Sequence, residues 1–107
     1  MEAPTDYSLA KNSIINLSKI LSKKLIGKVR VNSVSPGNIL FDGGTWEKKL
    51  KKNKKNVYEY IKTNVPLNRF GTAKEIANSI VFLSSDKASF INGSNLTVDG
   101  GQTSVLK

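Results

Sequence analysis

The chain has 107 residues, 38% of them apolar, and 17 Lys and Arg against 8 Asp and Glu give it a formal charge of +9. That apolar share excludes a disordered chain, and the lack of a long apolar run or a basic-then-apolar leader leaves no membrane span or export signal to expect. With no Cys and no His, disulfides, thiolate chemistry and the commonest general base and metal ligand are all removed. No metal site is expected, acid–base work falls to Tyr, Lys or the carboxylates, and a reducing cytoplasm fits.

In chain order, Pro4-Thr5-Asp6 is a helix-start signal with a hydroxyl or carboxylate available to cap free N–H groups. Ala10, Ile14, Leu17, Leu21 and Leu25 recur at helical steps, widened by Ile15, Ile20 and Ile26, and Gly27 supplies a stop. Residues 29–35, β-branched and closed by Pro36-Gly37, read as a strand. NILFDGG is a loop, with Gly43 and Gly44 permitting unusual backbone angles. Thr45 is expected to cap one lysine-rich helix running to Asn64, closed by Pro66. Thr72-Ala-Lys-Glu75 is a capping box for a helix whose buried face is read as Ile76, Ala77, Ile80, Val81 and Leu83. NLTVDGG, from Asn95, reads as a last strand and turn. The order helix-strand-helix-helix-strand argues for a parallel α/β arrangement, and two strands are few for a sheet, so the chain reads as part of a fold.

More than half of the charge excess lies in residues 45–64, where seven Lys face Glu47 and Glu59 for a net +5. Such a run is usually a solvated helix face, and lysine without interleaved arginine or stacking aromatics is a poor base-reading surface, so no nucleic-acid partner is expected.

Tyr7 and Lys11 stand four residues apart on the first helix, neighbours at about 5–6 Å between Cβ atoms. The spacing alone is weak, because Tyr58 and Lys62 share it. Context favours the first pair: a strand ending in Pro-Gly follows its helix, and ligand sites of α/β sheets lie at the carboxyl ends of strands. An ammonium one turn along favours a phenolate, which a tyrosine needs as a general acid or base.

YSLAK, VRVNSVSPGNI, VPLNRFG and KEIANSIVFLSSDKASFINGSNLTVDGG together resemble, in order and spacing, the C-terminal half of classical short-chain dehydrogenases/reductases of the 3-oxoacyl-reductase-like kind. The resemblance implies the C-terminal portion of a Rossmann-like, doubly wound parallel sheet. It also implies an NAD(P)-dependent oxidoreductase that interconverts an alcohol and a carbonyl. Tyr7 matches the catalytic acid/base. Lys11 matches the residue that favours its phenolate and hydrogen-bonds the nicotinamide ribose. Pro36, Gly37 and Ile39 match the loop beside the nicotinamide, with the backbone of Ile39 meeting the carboxamide. Residues 38–64, with Asn38, Leu40, Phe41 and Trp46, occupy the place of the substrate lid, where the lysine run has a second meaning, attraction of an anionic substrate.

There are departures. The family pattern often places a phosphate-contacting threonine where Phe41 stands; Thr45, beyond the glycines, is the candidate replacement. The glycine-rich phosphate loop, the residue choosing NAD or NADP, and the catalytic serine and asparagine of the family all precede the tyrosine, yet only six residues precede Tyr7. Ser8 and Ser13 lie on the tyrosine's own helix and cannot take the serine's role. The N-terminal βαβ units are therefore expected to be absent from the 107 residues, and the chain to be inactive and a weak binder of NAD or NADP alone. The alternative is a non-catalytic module that associates with family-type subunits, because the Tyr7 helix and the last strand commonly mediate homo-oligomer contacts in the family.

Overall fold

The computed structural model describes residues 3–103. They form an α/β arrangement of two compact units, the chain up to Ser33 with Phe82–Leu96, and Val34–Val81 with the chain from Thr97. The division falls within two paired strands, β1 (Ser33–Pro36) and β2 (Asn95–Val98). The Ser33 N–H donates to Ser94 O and the Gly37 N–H to Val98 O, so partners advance together and the strands are parallel.

In the first unit, α1 spans Thr5–Lys24. Pro4 stands at its N-cap without a side-chain cap, and the Asp6 carboxylate instead accepts the Tyr7 N–H at 2.9 Å. Gly27, at φ +79°, turns the chain beyond the helix end, as its place in the sequence predicts. The expected apolar stripe is packed only in part: Ile15, Leu21 and Leu25 are half-buried, Ile14 and Leu17 are 62% and 52% exposed, and the fully buried residues are Ser18 and Ser22. The serines satisfy their hydroxyls on their own helix, Ser18 on Ile15 O and Ser22 on Lys19 O. Their small size admits the Asn92–Gly93 turn, whose Asn92 amide reaches Ser22 O; a Cβ on Gly93 would lie 2.7 Å from Ser22 Oγ.

The first strand is shorter than expected because side-chain amides replace part of its ladder. Asn92 Oδ1 accepts the Val31 N–H and Asn32 Oδ1 accepts the Ser94 N–H, so regular pairing starts only at Ser33. Arg30 fastens the same region, donating to Ile91 O at 3.0 Å and Ser85 O at 3.1 Å.

In the second unit, the single lysine-rich helix expected from Thr45 to Asn64 is two helices, α2 (Thr45–Lys52) and α3 (Lys54–Asn64). Asn53 breaks it, leaving helical angles and accepting the Asn56 N–H on its side chain as the cap of α3. Thr45 is the first residue of α2 and Gly44 its N-cap, so the expected threonine cap is not made. Val57, Ile61, Val65 and Phe70 form the buried core, with Leu40, Trp46, Leu50 and Tyr60 packed against it. Trp46 stacks on Tyr60 at 5.6 Å and meets Phe70 edge-on at 5.4 Å.

The last helix, α4 (Ala73–Ser84), starts at the capping box read from the sequence. Thr72 Oγ1 accepts the Glu75 N–H and Glu75 Oε1 accepts the Thr72 N–H. Of its expected buried face only Leu83 is fully buried; Ile76 is half-buried, while Ala77, Ile80 and Val81 are exposed. A short 3-10 turn, Asp86–Ala88, leads toward β2. Among the described residues no helix is long and apolar enough to cross a membrane.

Candidate active site

Tyr7 and Lys11 are brought together on the outer side of α1. Lys11 Nζ lies 5.7 Å from the centre of the Tyr7 ring, close enough for a cation–π contact, and the tyrosine is 54% exposed. Helical spacing supplies the approach, and the Asp6 carboxylate on the Tyr7 N–H anchors the first turn that carries the phenol. A phenol beside an ammonium can give up or take back a proton with the resulting charge partly balanced.

Pro36 ends β1, and Gly37, Asn38, Ile39 and Leu40 continue from its carboxyl end as one segment of the second unit. Gly37 is required by packing: a Cβ there would lie 2.5 Å from Asp99 Cβ and 2.7 Å from Asp99 Cα. Asn38 donates its side-chain amide to Gln102 Oε1. Ile39 pairs with Gly71 in an isolated parallel bridge, in which Gly71 N donates to Asn38 O and Leu40 N to Gly71 O. The bridge therefore engages the peptide groups flanking Ile39, and the N–H and C=O of Ile39 itself have no hydrogen-bond partner among the described residues. One donor and one acceptor side by side on a strand-like segment match a primary amide.

The remaining residues assigned to the lid have packing duties. Leu40 and Trp46 lean on the Val57–Phe70 core. The Phe41 ring lies over Gly44, where a Cβ would meet it at 2.9 Å, and a 41–44 turn closes beneath it through the Gly44 N–H to Phe41 O bond. Pairing and close approach of this kind are invisible to a pattern of residue types.

An open cleft of about 680 Å³ in the second unit is lined in part by Asn38, Ile39, Arg69, Glu75, Thr97 and Asp99. Sequence reading singled out only the first two for a site, with Glu75 as a helix cap. The charged groups already have partners. Arg69 forks onto Glu75 at 2.8 and 3.0 Å, and Arg69 first, with the Thr72 N–H next, brings the Glu75 carboxyl down to about 2. Burial pushes Asp99 up, but bonds from the Thr103 hydroxyl, the Thr103 N–H and the Gly101 N–H outweigh it and hold the carboxyl below its ordinary value.

Residues 1–103 match a family described as Enoyl-(Acyl carrier protein) reductase. The 3-oxoacyl-(acyl-carrier-protein) reductase FabG of Chlamydia trachomatis serovar D is 47% identical over 98 residues, covering 91% of this chain and 37% of that protein. Isoepoxydon dehydrogenase patN of Penicillium expansum is 48% identical over 99 residues, with coverage of 92% and 38%. L-sorbose reductase from Gluconobacter frateurii, solved with NADPH and L-sorbose, superposes with a TM-score of 0.86 at 31% identity, covering 99% of this chain and 43% of that one. A 4-hydroxyisoleucine dehydrogenase complexed with NADH gives 0.85 at 34%, with the same coverage. The chain thus spans only 37–38% of the length of these curated relatives.

Proposed function

The chain belongs to the short-chain dehydrogenase/reductase family, and from that premise we propose that it supplies the tyrosine–lysine part of an NAD(P)-dependent oxidoreductase interconverting an alcohol and a carbonyl. The observation that carries the reading is the Tyr7–Lys11 pair, within reach of each other on one helix of a chain matched to the family over residues 1–103. On this reading residues 1–107 are part of the family's domain and 38–64 its lid, and the reaction takes place in a protein of the relatives' length that contains this segment. A chain free of cysteine suits the reducing cytoplasm, where we place it.

In the proposed reaction Tyr7 Oη donates a proton to the substrate carbonyl oxygen, or accepts it from the alcohol in the reverse sense. The Lys11 ammonium offsets the charge left on the phenolate and is the donor assigned to the cofactor's ribose. The peptide N–H and C=O of Ile39, both unpaired among the described residues, fit the cofactor's carboxamide, and Pro36 and Gly37 shape the loop that presents them. NAD or NADP, when bound, supplies the hydride acceptor or donor.

Replacing Tyr7 by Phe tests the reading. In a full-length protein containing this segment, Tyr7→Phe should lower kcat by about 10²–10⁴-fold, the usual worth of a positioned acid–base group, with NADH and NADPH affinity nearly unchanged. Turnover at the parental rate would refute it. The exposed ring makes loss of folding an unlooked-for result, read by circular dichroism of the same sample.

A second reading rests on a different observation. Leu9, Ile14, Leu17 and Ile20 on α1 are all more than half exposed, and Leu96 on β2 is 37% exposed. Such surface favours association with further copies through the Tyr7 helix and the last strand, whether or not this chain turns over substrate. Sedimentation of the chain, monomeric at all concentrations, would refute this reading alone.

A further inference from the structure

Seven lysines lie between Lys48 and Lys62, against Glu47 and Glu59. The apolar residues of both helices, Trp46 and Leu50 on α2 and Val57 and Ile61 on α3, are turned toward the core. Lysine is the commonest of the exposed residues that remain, standing among Asn53, Asn56, Tyr58, Glu59, Thr63 and Asn64. Glu47 is committed to Lys51 at 3.5 Å, and among the described residues Lys48, Lys52, Lys54, Lys55 and Lys62 make no ion pair. Like charges at helical spacing destabilise by tenths of a kcal/mol a pair, so this face holds positive charge that its own chain does not balance.

The chemistry of the face narrows what balances it. Neither arginine of the protein is in these helices: Arg69 pairs with Glu75 and Arg30 holds backbone carbonyls. The planar guanidinium fork that most often reads guanine is therefore missing. A lipid surface wants several apolar side chains to insert; of the aliphatic and aromatic residues of these two helices only Tyr58 is exposed, and its ring meets Phe70 edge-on. A small mobile anion needs only the field, which concentrates it and raises its encounter rate by about 10–10³-fold.

We propose that the outward face of α2 and α3 collects an anionic substrate, a carbonyl or alcohol compound bearing a phosphate or carboxylate group. This rests on the oxidoreductase reading above and names its substrate class. The single tryptophan supplies the readout: Lys49 Nζ sits 4.6 Å above the Trp46 ring, so an anion drawn to this face alters the indole's surroundings.

The experiment titrates the full chain with pyrophosphate and, separately, citrate, following Trp46 fluorescence, with sodium chloride at matched ionic strength as reference. Saturable change with at least one anion is expected, weakening as ionic strength rises from about 0.01 M to about 0.15 M and the Debye length falls from about 30 to about 8 Å. Preference for pyrophosphate marks a phosphate group, and preference for citrate a carboxylate. The triple variant Lys52→Gln, Lys54→Gln, Lys55→Gln should bind about tenfold more weakly. Arginine at the same three positions should retain binding, which separates charge from folding. Lys23→Gln, Lys24→Gln, Lys28→Gln, removing equal charge from the first unit, should leave binding unchanged. Chloride as effective as either anion, or equal weakening by both glutamine triples, would overturn the proposal. Stronger binding of a DNA duplex than of either anion would overturn it in favour of a nucleic-acid surface. No turnover is measured, so failure here and failure of Tyr7→Phe to slow the reaction are separate results.

Discussion

Gly37→Ala puts a methyl group where the second unit has no room. The added Cβ would lie 2.5 Å from Asp99 Cβ and 2.7 Å from Asp99 Cα, against about 3.5–4.0 Å for ordinary carbon contact. The shortfall is about 1 Å, and because the atoms met are backbone and Cβ, no rotamer change relieves it. The loop must move away from the Asp99 turn, which costs about 1–3 kcal/mol for overpacking. Its Gly37 N–H to Val98 O bond is stretched with it, adding about 1 kcal/mol. A total of about 2–4 kcal/mol should lower Tm by about 10–20 °C in a chain of this size. The assay is paired thermal and urea unfolding, followed by circular dichroism and Trp46 fluorescence. Gly27→Ala serves as the reference, since φ is +79° there but nothing lies within 4 Å, so only the left-handed backbone is penalised, by about 1 kcal/mol. A Gly37→Ala chain as stable as the parent, or more stable than Gly27→Ala, would refute the steric argument.

Glu75 has a depressed folded value of about 2 against an ordinary 4.5, held there first by Arg69 and then by the Thr72 N–H. Its contribution to stability is therefore complete above about 4.5 and is lost as pH falls through about 2. Urea midpoints measured across that window should fall less steeply for Glu75→Gln than for the parent, and an identical acid dependence would place the loss on other carboxylates. Ile61→Ala empties the most buried position of the core, 2% exposed, and should cost about 2–5 kcal/mol in urea unfolding read at Trp46. Arg30→Met removes the donors to Ile91 O and Ser85 O and should cost about 2 kcal/mol, read by the same unfolding experiment; a neutral substitution would mean water replaces the guanidinium there.

What the residues disclosed and what they hid follow a physical division. The capping box at Thr72 and Glu75 was legible because both groups act within four residues of the chain, and α4 begins there. The parallel strand pair was legible from helical connections between two β-branched runs. The break at Asn53 was signalled only by an asparagine among lysines, a residue that competes for backbone N–H groups. The packed face of α1 is legible only in part, through Ile15, Leu21 and Leu25, because apolar periodicity gives serine no weight. Ser18 and Ser22 are buried through smallness and through bonds to their own helix, a matter of fit against Asn92 and Gly93 some seventy residues away. Of the candidate site, the nearness of Tyr7 to Lys11 follows from spacing. The free peptide groups of Ile39 depend on a pairing with Gly71 that residue types do not encode.

That pairing has a consequence for how the segment tolerates change. On the proposed reading what Ile39 offers is main chain, so its fit to an amide is insensitive to which side chain occupies position 39. Thirty-two positions downstream, a Cβ at Gly71 would meet Ile39 Cδ1 at 2.7 Å, a side-chain tip that can swing aside. Drift at residue 39 alters the lining of the loop, and a small side chain at residue 71 displaces the Ile39 side chain before it disturbs the backbone pairing.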